Sequence, residues 1–266
     1  MLALMMRTSE GRVQSKTSML AVNYLICALL CGVYMKFDLA LSSPKSGYTL
    51  LLGMITGVFY VTALLAMQYN IRLNGVILPS VFSRLGGLLV PLAAAICFFG
   101  ETPTAVQIAG AMIAGFGMIA INGKASGTAS ASVLPLLGLL MLDGCATTMS
   151  TVYEKLGNSE LNTQFLFYTF CTALLICLVL IFKNKERFGW AEVLFGLGIG
   201  IPNFFASRCL LQALETVPAV IAYPTRSVAC IMVVSLAGIV LFRERLQKRQ
   251  WAALASILVA VILLNI

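Results

Sequence analysis

Four ionisable side chains sit inside long apolar runs: Arg84, Asp143, Arg208 and Arg226. A charge at the centre of a lipid bilayer costs at least about 2.5–3.5 kcal/mol on insertion scales, so such residues are functional candidates by default. Arginine grips carboxylate or phosphate through two parallel hydrogen bonds. Arg84 and Arg226 lie close to Pro79 and Pro224, and proline kinks a helix. Two arginines on kinked helices are expected to face one midplane cavity. Asp143 heads a polar series with Thr147, Ser150, Thr151 and Glu154. Those spacings of four, seven, eight and eleven residues share one helical face. That face is suited to line a cavity, with Thr147 touching substrate. Asp143 is the proton-coupling candidate. Paired with one arginine, it would leave a net positive cavity for an anionic group. The alternative is an internal ion pair that only holds helices together. Arg208, near the end of its run, could instead reach the outer interface by extending its side chain.

Asn23, Tyr24, Tyr60, Gln68, Tyr69, Asn70, Asn203 and Tyr223 form a weaker set. Each could touch substrate, with Tyr69 and Asn203 the chosen candidates, or bond one helix to another. Other chemistry finds little support. The chain has no His, which removes the commonest metal ligand and proton shuttle. Its eight cysteines all fall in apolar runs without a CxxC and read as small buried hydrophobes. No catalytic residue, metal site or cofactor is expected, and no Walker motif points to ATP.

These residues need elements to hold them. Of the 266 residues, 60% are hydrophobic and 11% charged. A typical soluble domain carries about 25% charged residues, so this chain is too apolar to cover a soluble surface. A spanning helix needs about 20 apolar residues. Such runs lie at 18–35, 48–70, 76–98, 105–122, 132–152, 164–182, 190–213, 218–242 and 249–266. The expected fold is all-α and polytopic, with about nine complete spans. The net charge of +8 forms no stripe for nucleic acid. It sits in the gaps. Arg7, Arg12, Lys16, Arg72, Lys124, Lys183, Lys185, Arg187, Arg243, Arg245, Lys248 and Arg249 share one side, against Lys36, Lys45 and Lys155 on the other. That bias places the first side in the cytoplasm. The lipid bilayer and a small molecule are the expected partners.

The halves repeat. Glu101 and Glu244, Gln107 and Gln250, and Asn122 and Asn265 are each 143 residues apart. Gly123 to Ser132 is a Ser/Gly-rich linker between them. Equivalent gaps fall on opposite sides, the inversion typical of secondary transporters. Gly110, Ala114, Gly115 and Gly117 make the run at 105–122 smooth, for close helix packing.

Phe99-x-Glu101 with Gln107 and Gly110, and Phe242-x-Glu244 with Gln250, carry a resemblance to EamA-type drug/metabolite transporters. The second copy has Ala253 in place of Gly110. The resemblance implies ten helices in two inverted five-helix repeats. It implies a first repeat at 1–122, a linker at 123–132 and a second repeat at 133–266. Met1 to Met6 is apolar but too short to span, and reads as the end of a truncated first helix. The implied function is secondary transport of a small anionic or zwitterionic metabolite across the inner or plasma membrane by alternating access. Two other classes stand beside it: a membrane-embedded enzyme acting on a lipid phosphate, and a non-transporting assembly partner.

Overall fold

A computed structural model describes residues 15–36, 46–74, 77–100, 102–122, 133–186 and 188–226, with isolated positions at 229, 255–256, 259 and 263. Every element among the described residues is helical. In chain order they are α1 (Lys16–Tyr34), α2 (Ser46–Asn74), α3 (Ile77–Phe99), α4 (Ala105–Asn122), α5 (Val133–Leu156), a short 3₁₀ turn (Ser159–Leu161), α6 (Asn162–Asn184) and α7 (Trp190–Thr216). Residues 219–226 are helical too. They start from the Pro218 carbonyl, which accepts from the Ile221 and Ala222 N–H groups at 3.0 Å each.

Among the described residues, six helices are long and apolar enough to cross a membrane: Lys16–Tyr34, Ser46–Ile71, Phe82–Phe99, Leu134–Leu156, Ser159–Asn184 and Trp190–Thr216. The expected run at 105–122 forms α4, and the run at 218–242 begins in the 219–226 helix. Apart from the isolated positions at 255–256, 259 and 263, the span at 249–266 lies outside the described residues, as do the motif residues Glu101, Phe242, Glu244, Gln250 and Ala253 and the 123–132 linker. Phe98, Leu134, Phe182 and Trp190 are each more than four-fifths exposed. A water-soluble domain would bury side chains of that size, whereas lipid accepts them.

Contacts divide the chain into two compact units. The first takes the described residues of Met1–Val61 with Val152–Glu215. The second takes those of Thr62–Thr151 with Thr216–Ile266. Each unit therefore draws on both halves of the sequence, and the chain passes between them within α2 and within α5.

In the first unit, α1 packs along α6. Tyr24 stacks on Phe170 with centroids 6.3 Å apart, and Cys27, Cys31, Ala173 and Cys177 are fully buried. Cys27 and Cys31 thus behave as the small hydrophobes their sequence context implied. Gly196 and Gly200, one turn apart on α7, let α1 approach closely. A Cβ on Gly200 would stand 2.9 Å from Ile26 Cβ and 3.0 Å from the Asn23 carbonyl. Such small-residue contacts hold helices together where lipid removes any hydrophobic drive between them.

The same device recurs in the second unit. Gly86 of α3 lies directly against the Leu140 carbonyl of α5, and a Cβ on Gly144 would meet Val90 Cβ at 2.5 Å. The α4 helix packs on α3, with Gly110 and Ala111 buried.

Candidate functional site

Asp143 sits mid-way along α5, in the second unit. Its Oδ2 accepts a hydrogen bond from Ser83 Oγ of α3 at 3.0 Å. The bond forms because Gly86, Gly87 and Gly144 bring the two helices together. A Cβ on Gly87 would lie 3.6 Å from Asp143 Oδ2 and 3.5 Å from Thr147 Oγ1. One turn further on, the Thr147 hydroxyl donates to the Asp143 carbonyl at 2.9 Å. Another helix closes the group. Tyr223, within residues 219–226, donates from its hydroxyl to the Thr147 carbonyl at 3.0 Å. The same hydroxyl shares a 2.8 Å hydrogen bond with Thr151 Oγ1.

The polar face expected on α5 therefore turns inward. Ser150 and Thr151 are buried, and Asp143 and Thr147 are half-buried. Arg84 follows Ser83 on α3 and is half-buried, while Arg226 is exposed. Arg226 lies close enough for its positive charge to act on the Asp143 carboxylate. The direct partner of that carboxylate is a serine rather than the arginine the sequence suggested. Of the weaker set, Tyr69 is 58% exposed. Asn70 is spoken for: its amide donates to the Ala66 carbonyl at 2.9 Å and to the Pro135 carbonyl at 3.0 Å. At the far end of α5, Glu154 pairs loosely with Lys155 at 3.7 Å.

The first unit holds the remaining candidates. Asn203 donates to Asn23 Oδ1 at 3.3 Å, and the Cys27 thiol donates to the Gly200 carbonyl at 3.3 Å. These bonds tie α1 to α7 beside Pro202, a residue that supplies no backbone N–H of its own. Arg208 lies two turns before the end of α7. Its guanidinium stacks over the Tyr34 ring, with Cζ 3.3 Å from the centroid. A cation over an aromatic face is attracted by the ring quadrupole. Tyr34 ends α1 and Arg208 approaches the end of α7, which accords with an interface position rather than a midplane one. Arg208 also lines a cavity of about 210 Å³ with Glu160, Asn162, Leu166, Leu211 and Glu215. Asn162 donates to Glu215 Oε1 there at 2.5 Å.

A further polar group escaped sequence reasoning. Glu192, in the first turn of α7, is 2% exposed and accepts from the Ser15 backbone N–H at 3.3 Å. Glu186 accepts from the hydroxyls of Ser15 and Thr17. Ser15 is the N-cap of α1, accepting from the Ser18 N–H at 3.0 Å. Carboxylates are favoured at a helix N-terminus. Nothing local in the sequence pointed to Glu186 and Glu192 as partners of this cap.

Helices of membrane-crossing length, exposed bulky side chains and a polar group buried between helices define a multi-pass helical membrane protein. Residues 135–266 match the EamA-like transporter family, which supports a place in the drug/metabolite transporter superfamily, EamA type. An uncharacterized protein of Haemophilus influenzae is 23% identical over 211 residues, 77% of this chain and 72% of that one. A crystal structure of a protein at 18% identity superposes with a TM-score of 0.75, covering 99% of this chain and 92% of its own. At that identity the likeness speaks for the fold alone. The family is one of membrane transporters, which accords with a transport role.

Proposed function

We propose that the chain is a secondary transporter that moves a small metabolite, anionic or zwitterionic, across the inner or plasma membrane by alternating access. The observation that carries this reading is Asp143. A carboxyl group inside a membrane-crossing helix is retained against a cost of some kcal/mol, and this one is held by Ser83 and acted on by Arg226. Arg84, Arg226 and Thr147 are assigned to substrate, and Asp143 to the coupled proton. Arg208, Tyr69 and Asn203 complete the set chosen from sequence, and Asn203 donates to Asn23. Ten helices in two inverted repeats would rock about the site, and the 143-residue offset with alternating loop charge supports that arrangement.

Purified protein in proteoliposomes, loaded with a solute mixture, tests the assignment by counterflow of labelled candidates. The Arg84→Ala, Arg226→Ala double variant should lose exchange by at least about tenfold, the worth of one charge-assisted contact. Exchange that continues unchanged in that variant would remove both arginines from the site.

A further inference from the structure

The turn between α6 and α7 sorts its charges. Its described residues carry two lysines, Lys183 and Lys185, close to two carboxylates, Glu186 and Glu192. Both carboxylates are turned inward. Glu192 is buried and accepts from the Ser15 N–H. Glu186 accepts from the Ser15 and Thr17 hydroxyls and from the Asn184 amide at 3.4 Å. Both lysines are exposed. What these residues present outward is therefore positive charge. Lys185 also holds an unusual place. It is the C-cap of α6, left-handed at φ 53° and ψ 37°, where glycine or asparagine is the common choice. Its Cβ is disfavoured there, so its side chain is kept against a cost. A cation suits the carbonyl end of α6, but that role would not keep Lys183 exposed beside it.

An apolar stripe leads to this charge. Leu175, Val179 and Phe182 follow one another at four and three residues on α6, which puts them on one face. All three are more than three-fifths exposed. Lys183 stands four residues beyond Val179 and continues that face. Across the turn, Trp190 and Leu194 are exposed four residues apart on α7. Exposed apolar side chains on a membrane-crossing helix meet acyl chains, and tryptophan settles at the headgroup level. The lysines thus stand where hydrocarbon gives way to headgroups. A free anion would use the lysines alone. A molecule with an anionic head and an apolar tail uses the stripe as well.

We propose that Lys183 and Lys185, flanked by Phe182 and Trp190, form a binding site for an anionic phospholipid. Its phosphate lies on the two ammonium groups, and an acyl chain runs along Leu175, Val179 and Phe182. A zwitterionic headgroup brings a cation of its own to the lysines and is held less well. The loop-charge bias places the turn at the cytoplasmic leaflet, whose anionic lipids attract lysines near the surface. The cap of α1 contributes indirectly, since it occupies the carboxylates that would otherwise neutralise the site. The site holds lipid whatever solute the chain moves.

Quenching of Trp190 fluorescence by brominated lipids tests the site on the full chain in bilayers. Trp251→Phe leaves Trp190 as the single tryptophan. Brominated phosphatidylglycerol should bind beside Trp190 about fivefold or more tightly than brominated phosphatidylcholine with the same chains, the factor that one lysine near an anionic surface supplies. The Lys183→Gln, Lys185→Gln double variant should bring that ratio close to one, while Lys183→Arg, Lys185→Arg should keep it. Lys185→Gly separates lipid binding from helix capping. Glycine suits the left-handed backbone, so the thermal midpoint should hold or rise while the lipid preference falls. Equal quenching by the two lipids with both lysines in place, or a preference unchanged in the double glutamine variant, would overturn the site. A preference abolished by inorganic phosphate at constant ionic strength would give the lysines to a free anion and overturn the lipid assignment.

Discussion

Asp143 could be picked out of the sequence because a carboxyl in an apolar run has no ordinary reason to be there. Ser83 could not, since a serine in such a run is commonplace and reveals its partner only when α3 meets α5. That partner makes a sharp substitution available. Asp143→Asn keeps the size of the side chain and an oxygen to accept from Ser83, but it cannot carry a proton. Proteoliposomes should then retain exchange between equal pools and lose accumulation driven by an imposed proton gradient. Full accumulation in that variant would remove Asp143 from coupling. The residues around Arg208 were harder to read for a different reason. Asn162 and Glu215 stand 53 residues apart at helix ends, where polar side chains are expected and convey nothing. Arg208 itself was visible by its charge, and its alternative place at an interface is the one the ring of Tyr34 supports.

At the scale of the helices, apolar run length was a sound guide. The run at 105–122 coincides with α4, and the run at 18–35 forms Lys16–Tyr34. Run length says nothing about which helices touch. The small residues of α4 were visible as a cluster, whereas the spacing of Gly196 and Gly200 was lost among the many glycines of the chain. Geometry assigns these two a load that composition did not. Gly200→Val would force a branched side chain against Ile26 and the Asn23 carbonyl. Overpacking of this kind costs about 1–3 kcal/mol, so the thermal midpoint in detergent should fall. Gly138→Ala is the matched control, because nothing lies within 4 Å of its Cβ position. Its midpoint should hold. Equal behaviour of the two variants would deny the close α1–α7 crossing its structural role.

For the whole molecule, membrane class was legible from the 60% hydrophobic composition alone, because no arrangement of so few polar groups covers a soluble surface. Orientation rests on the loop lysines and arginines and is open to direct measurement. Paired reporters, one active in the cytoplasm and one outside, should report an outer position after Gly157 and a cytoplasmic one at Lys185. The reverse pattern would invert every statement about sides.

The cap of α1 also sets a timetable. Ser15 is 171 residues from Glu186 and 177 from Glu192. At about 5–20 residues per second of synthesis, roughly 10 to 35 s separate the emergence of Ser15 from that of its acceptors. Through that interval the start of α1 lies at the membrane surface with the Ser15 N–H and the Ser15 and Thr17 hydroxyls lacking their carboxylate acceptors. Water, lipid headgroups or the insertion machinery must hold them until the turn between α6 and α7 leaves the ribosome. The first helix described here is thus among the last to be secured.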